Sequence, residues 1–121
     1  MICLDTNVLI KITKNNIQVI EKLARLNTAL YVLFISAMEL IIGARNNKEK
    51  TKLMAFINQF NLIYMDKNAS HLANKLVVKY AKSHHLDIPD ALIAASCIEG
   101  KFTPWTYNSK DFHYLPGLVL L

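Results

Sequence analysis

Short apolar runs and helical patterns alternate along the chain. Short segments that predict strands lie at residues 2–4, 31–35, 62–65, 102–107 and 118–121. Residues 31–35 form a continuous apolar, β-rich run, which is typical of a strand that is covered on both faces, because both sides of the strand then point into the interior. Helical patterns separate the first four segments. The alternation predicts the α/β class, with a three-layer fold in which helices flank a central parallel sheet of about five strands.

Amphipathic helices are predicted where apolar residues recur at every third or fourth position. The longest such stripe, residues 69–81, predicts a helix capped by Asn68 or Ser70. Residues 91–98 are apolar on nearly every side, which predicts a buried helix. The other helices are predicted to begin near Thr6, near Ile17, at Ser36, before Leu53 and at Asp87.

The charged residues give the chain a basic surface. Fourteen Lys and Arg residues oppose nine acids, for a formal net charge of +5. Such a surface suits a polyanion, although ordinary solubility would explain it equally well. Four of the nine acids lie at predicted strand ends, so the rest of the surface is more basic than the net charge suggests.

The chain shows no targeting or membrane signal. Residues 1–10 lack a basic stretch and are interrupted by Asp5, so they do not resemble a signal peptide. The longest apolar run, residues 29–35, is far too short to span a bilayer. Cys3 and Cys97 belong to no metal or redox motif and are expected to be buried thiols in a reducing compartment. These features predict a cytoplasmic protein with no membrane partner.

Four carboxylates occur where predicted strands run into turns or helices: Asp5, Glu39, Asp90 and Asp111. The carboxyl ends of parallel strands meet at one edge of a sheet, so acids distant in sequence can converge there. Carboxylate oxygen and water are the ligands that Mg²⁺ and Mn²⁺ prefer. The placement therefore predicts an acidic metal site.

Each acid also has a simpler explanation. Asp5 would cap the helix that begins at Thr6. Glu39 would close a capping box with Ser36, and Asp90 would be favourable in the first turn of its helix. Asp111 would be a turn residue that binds its own backbone. Their joint occurrence favours the metal site, because capping alone does not require an acid at every one of these places.

Four segments resemble, in order, the successive motifs of PIN-domain ribonucleases, and VapC-type toxins are the most similar members. The segments are LDTNVLI, ISAMELIIGAR, DALIAA and TYNSKDF. The resemblance covers essentially the whole chain and implies a single PIN-like domain over residues 1–121. It also implies an Mg²⁺- or Mn²⁺-dependent endoribonuclease that hydrolyses RNA phosphodiester bonds.

The resemblance assigns roles to individual residues. Asp5, Glu39 and Asp90 correspond to the catalytic and metal-binding triad, and Asp111 to a more variable fourth acid. Asp87 has no counterpart and is interpreted as a helix cap. Supporting polar positions fall at Thr6, Asn7 and Asn108. The implied partners are an RNA substrate, a second copy of the chain, and a VapB-like antitoxin that places an Arg or Lys among the acids.

One basic residue is a candidate for a role near the site. Arg45, close behind Glu39 in sequence, is a candidate phosphate contact or ion-pair partner.

Two other function classes are compatible with the sequence. One alternative function is a non-catalytic nucleic-acid or protein-binding module on the same scaffold. The other is a phosphotransfer domain that accepts phosphate on Asp5, a strand-end acid with acidic neighbours.

Overall fold

The computed structural model describes all 121 residues. Four strands and six α-helices follow one another along the chain. They are β1 (Ile2–Leu4), α1 (Thr6–Thr13), α2 (Ile17–Arg25), β2 (Leu30–Leu33), α3 (Phe34–Ile42), α4 (Asn47–Ile57), β3 (Asn61–Ile63), α5 (Lys67–His84), α6 (Ile88–Gly100) and β4 (Thr103–Trp105). A 3₁₀ turn, Ser109–Asp111, follows β4.

The strands form one parallel sheet in the order β3-β2-β1-β4. Neighbouring residues of β1 point to opposite faces, as the pleat requires. Cys3 packs into a core with α5 and α6, whereas Ile2 and Leu4 pack into a second core with α1 to α4. Helices therefore cover both faces, and the predicted three-layer α/β fold is confirmed.

The fifth strand predicted at residues 118–121 is wrong, because these residues form no strand. A single backbone bond, from the Leu121 N–H to the Pro104 carbonyl (3.0 Å), joins this segment to β4. The Thr103 N–H and the Trp105 carbonyl point toward β1, so the residue between them faces the outer edge. That residue is Pro104, which has no N–H to donate, and a further strand cannot be paired regularly there.

The predicted start of the third helix was also wrong. The helix begins at Phe34 instead of Ser36, and Leu33 precedes it without a side-chain cap bond. Ser36 consequently lies inside α3 as a buried residue, and the capping box with Glu39 does not form. Phe34 and Ile35 pack against the core beside α5 and α6, and this burial outweighs their β-rich character.

Two other helix starts are fixed by aspartates. Asp66 accepts a hydrogen bond from the Ala69 N–H (2.8 Å) and begins α5, so the caps predicted at Asn68 and Ser70 were two and four residues late. Asp87 accepts from the Asp90 N–H (2.9 Å) and begins α6, as predicted.

The remaining expectations concern burial and membrane spans. Cys3 and Cys97 are free, buried thiols, as predicted. None of the helices combines the length and apolar character needed to cross a membrane.

Candidate functional site

Asp5 lies at the carboxyl end of β1, one of the two central strands, and immediately precedes α1. Its side chain is only 6% exposed. Oδ1 accepts from the Thr6 N–H (2.7 Å), whereas Oδ2 accepts from Asn7 Nδ2 (3.1 Å) and Thr106 Oγ1 (2.8 Å). Burial nevertheless raises the pKa of Asp5, and nearby Asp111 adds to this effect. Asp5 is thus both a helix cap and a buried, firmly oriented carboxylate.

Thr106 ties the ends of β1 and β4 together. Its hydroxyl donates to Asp5 and accepts from Asn7 Nδ2 (3.2 Å) and the Asn108 N–H (3.0 Å). Asn7 Oδ1 in turn accepts from the Tyr107 N–H (3.2 Å). Thr106 was missed by the sequence interpretation, because the fourth strand was predicted to continue to residue 107, whereas it ends at Trp105. The predicted support from Asn108 comes through its backbone.

Glu39 projects from α3, the helix that follows β2. Its Oε1 accepts from the Thr6 hydroxyl (3.0 Å). The Thr6 N–H also donates to Asp5. Thr6 therefore connects the carboxylate of its neighbour Asp5 with that of Glu39, which is 33 residues away in sequence. The structure therefore brings Thr6, Asp5 and Glu39 together, and the capping explanation of Glu39 is wrong.

Asp90 lies in the first turn of α6, where its backbone N–H donates to Asp87. Burial raises the pKa of Asp90 to about 7, and the negative charges of Asp87, Asp5, Asp111 and Glu39 contribute in that order. The negative charges of all three other predicted site acids therefore act on the Asp90 carboxyl.

Asp111 ends the 3₁₀ turn after β4, and its backbone N–H donates to the Asn108 carbonyl (3.0 Å). Its charge raises the pKa of both Asp5 and Asp90. Burial and then the charges of Asp90 and Asp111 raise the pKa of the Tyr114 hydroxyl. The Tyr114 hydroxyl is buried without a hydrogen-bond partner.

The four acids have no cationic partner. The structure contains one salt bridge, Arg45 to Glu49 (2.9 Å), so neither a lysine nor an arginine is paired with any of them. As the side chains stand, no three His, Cys, Asp or Glu residues are arranged to hold one metal ion. Mg²⁺ is usually bound through one or two carboxylates and keeps several waters. An all-oxygen set with uncompensated negative charge fits a hard, hydrated cation of this kind.

Comparisons with known proteins concern the family and the fold of the whole chain. The family model described as PIN domain matches residues 2–117. VapBC2 from Rickettsia felis, solved bound to a DNA fragment from the promoter, is similar at 26% identity and a TM-score of 0.85, covering 100% of this chain and 98% of that one. VapBC-1 from nontypeable Haemophilus influenzae is similar at 26% identity and a TM-score of 0.83, covering 100% and 97%. FitAcB from Neisseria gonorrhoeae is similar at 26% identity and a TM-score of 0.80, also covering 100% and 97%. A comparison with curated proteins found no match.

Proposed function

The chain belongs to the PIN-domain family, and we propose that it is a metal-dependent endoribonuclease that hydrolyses RNA phosphodiester bonds. The observation that carries this proposal is the convergence of Asp5, Glu39, Asp90 and Asp111 without a cationic partner. Carboxylates gathered in this way are costly unless a cation or a proton compensates them. A divalent ion would compensate them and serve hydrolysis at the same time.

Mg²⁺ or Mn²⁺ bound among these four acids, through one or two of the carboxylates and several waters, would lower the pKa of a coordinated water and stabilise charge on the phosphate. The chain's own residues position the ligands. Thr6 donates to both Asp5 and Glu39, and Asn7 and Thr106 fix the second oxygen of Asp5. These bonds keep the Asp5 carboxylate oriented before any ion arrives, which lowers the reorganisation needed for catalysis.

Metal removal tests the proposed reaction. The full chain is expected to cleave RNA in Mg²⁺ or Mn²⁺ and to lose that activity in excess EDTA, with recovery when the metal is restored. Gel analysis with 5′-end mapping would record both the loss and the cleavage positions. Undiminished cleavage in excess EDTA would rule out the metal-dependent mechanism.

We also propose that this ribonuclease is the toxin of a VapBC-type pair that acts in the cytoplasm, with a VapB-like antitoxin as partner. The support is the similarity to the VapBC and FitAcB proteins. A Lys or Arg from such a partner would find four unpaired carboxylates, and charge-assisted hydrogen bonds to them would be strong. The partner should therefore suppress the same cleavage that EDTA suppresses in the assay above.

Phosphotransfer on Asp5 is a weaker alternative. Both Asp5 oxygens already accept hydrogen bonds, one from the Thr6 N–H and one from Asn7 and Thr106. No lysine forms a salt bridge with Asp5 that would neutralise a phosphorylated form. The missing lysine therefore makes phosphotransfer on Asp5 the weaker of the two functions.

The homodimer remains a prediction, for which α3 and α4 present an apolar surface. Met38, Ile42 and Met54 are 49%, 82% and 51% exposed and line a cavity of about 360 Å³. If a second copy covers this surface, Ile42→Lys should convert a dimer to a monomer, because a charge would be buried unpaired. Light scattering during size-exclusion chromatography measures the mass. Val78→Lys on α5, where Val78 is 79% exposed, is the matched control, and a dimeric Ile42→Lys variant would exclude this interface.

A further inference from the structure

A continuous groove leads away from the acidic site between α1, α3 and α4. Its widest part is a cavity of about 740 Å³. A second cavity of about 250 Å³ shares Thr13, Lys14 and Gly43 with the first and extends to Glu39. A third, of about 400 Å³, shares Lys14 and reaches Asn7. The groove therefore joins the acidic site at two of its residues.

The charge of the groove is opposite to that of the site. Lys14, Arg45 and Lys52 line the widest part, and Lys11 lines the third cavity. The one carboxylate beyond Glu39 is Glu49, which is already paired with Arg45. Lys14 and Lys52 form no salt bridge and remain available to an anion. Positive charge consequently accumulates next to a site that needs a phosphate beside a cation.

The floor of the same groove is apolar. Ile12, Leu53 and Phe56 line the same cavity as Lys14, Arg45 and Lys52. A groove that combines cations for a backbone with apolar or aromatic groups for bases suits single-stranded nucleic acid. A duplex would keep its bases stacked inside and could not use such a floor.

We propose that this groove binds the single-stranded RNA that flanks the cleavage point, with Lys14 and Lys52 contacting phosphates and the apolar floor contacting bases. The inference rests on the proposed ribonuclease function and deepens it. It assigns the substrate a path from Glu39 toward Phe56 and predicts a requirement for unpaired nucleotides on that side of the cleaved bond.

Salt dependence of binding tests the path. Affinity for a fluorescent uridine oligonucleotide is measured between 50 and 200 mM KCl with Mg²⁺, in an Asp90→Asn background that is expected to cleave at least about 100-fold more slowly. The double variant Lys14→Gln/Lys52→Gln should make the negative slope of log affinity against log salt shallower by about 1.4, because each single-strand phosphate contact contributes about 0.7 to its magnitude. It should consequently lose about sevenfold less affinity than its parent over that range. With Asp90 restored, the same changes should raise KM and leave kcat nearly unchanged.

The control is Lys75→Gln/Lys79→Gln, which removes two exposed lysines from α5 on the other side of the sheet. This variant should keep the parent slope. A parent slope in the Lys14→Gln/Lys52→Gln variant would overturn the RNA path and leave the groove to a polypeptide partner. Failure of the parent to bind RNA at all would overturn the ribonuclease proposal as well, so the two failures are distinguishable.

Discussion

Asp5→Asn and Asp90→Asn are each expected to reduce RNA cleavage by at least about 100-fold while the fold remains intact, in line with the loss of a preorganised electrostatic group from an active site. Asparagine keeps the shape of the side chain and is itself a good helix cap. The change therefore removes the charge of a proposed metal ligand with little structural disturbance. Initial cleavage rates in Mg²⁺, together with circular dichroism, measure both expectations.

Asp66→Asn is the matched control for these variants. Asp66 also caps a helix, and it is not among the acids that raise the pKa of Asp5 or Asp90. The control should cleave at the parent rate. If the Asp5 and Asp90 variants also kept that rate, the acids would be caps alone and the catalytic proposal would fail.

The metal-free protein is expected to lose stability as the pH rises from about 4 to about 7. The unfolded Asp90 carboxyl titrates near 3.8, whereas in the folded protein burial and neighbouring acids raise its pKa to about 7. Between these values the folded state binds more protons than the unfolded state, so the free energy of unfolding falls with increasing pH. Asp5 acts in the same direction, because burial also raises its pKa.

Asp90→Asn should remove most of this dependence and stabilise the metal-free protein at pH 8. Asp90 is half-buried, so screening by solvent reduces the gain to about 1–2 kcal/mol, below what the full pKa shift would give. Thermal unfolding in EDTA at pH 5 and pH 8 measures the effect, with Asp66→Asn again as the control. Added Mg²⁺ should stabilise the parent more at pH 8 than at pH 5. Equal melting temperatures for parent and variant at pH 8 would contradict the uncompensated acidic site.

The combination of the two predictions distinguishes a functional charge cluster from a structural one. A variant at Asp90 should be more stable and less active than the parent. Active sites commonly hold groups whose arrangement lowers stability, so replacing such a group trades activity for stability. A purely structural aspartate would lower stability when replaced.

The local sequence pattern was sufficient to predict an element wherever one local interaction determines that element. The short apolar run before Asp5 predicted β1 and placed Asp5 at the end of that strand. Asp87 was correctly identified as the cap of the helix that contains Pro89. The long apolar stripe predicted α5, whose Ala69, Ala73 and Leu76 are buried. In each case the residues that form the element are adjacent in sequence.

Prediction from the sequence failed where contacts between residues distant in sequence determine the structure. Phe34 and Ile35 suit a strand as well as a helix, and only packing against α5 and α6 selects the helix. Thr106 joins the site through partners 99 and 101 residues away, a relation that has no local pattern. The distant partners also show that Glu39 bonds to Thr6 and does not cap its own helix.

Pro104 has a consequence for how copies of this protein behave at high concentration. An exposed edge strand with free N–H groups can recruit a strand from another molecule and begin aggregation. On the outer edge of β4 the central residue cannot donate, and its carbonyl already accepts from Leu121. The opposite edge is β3, which has only three residues. The sheet is thereby protected at the β4 edge because Pro104 has no N–H to donate, and at the β3 edge because that strand is short. The protein can therefore expose apolar residues on α3 and α4 without its sheet becoming a template for fibrils.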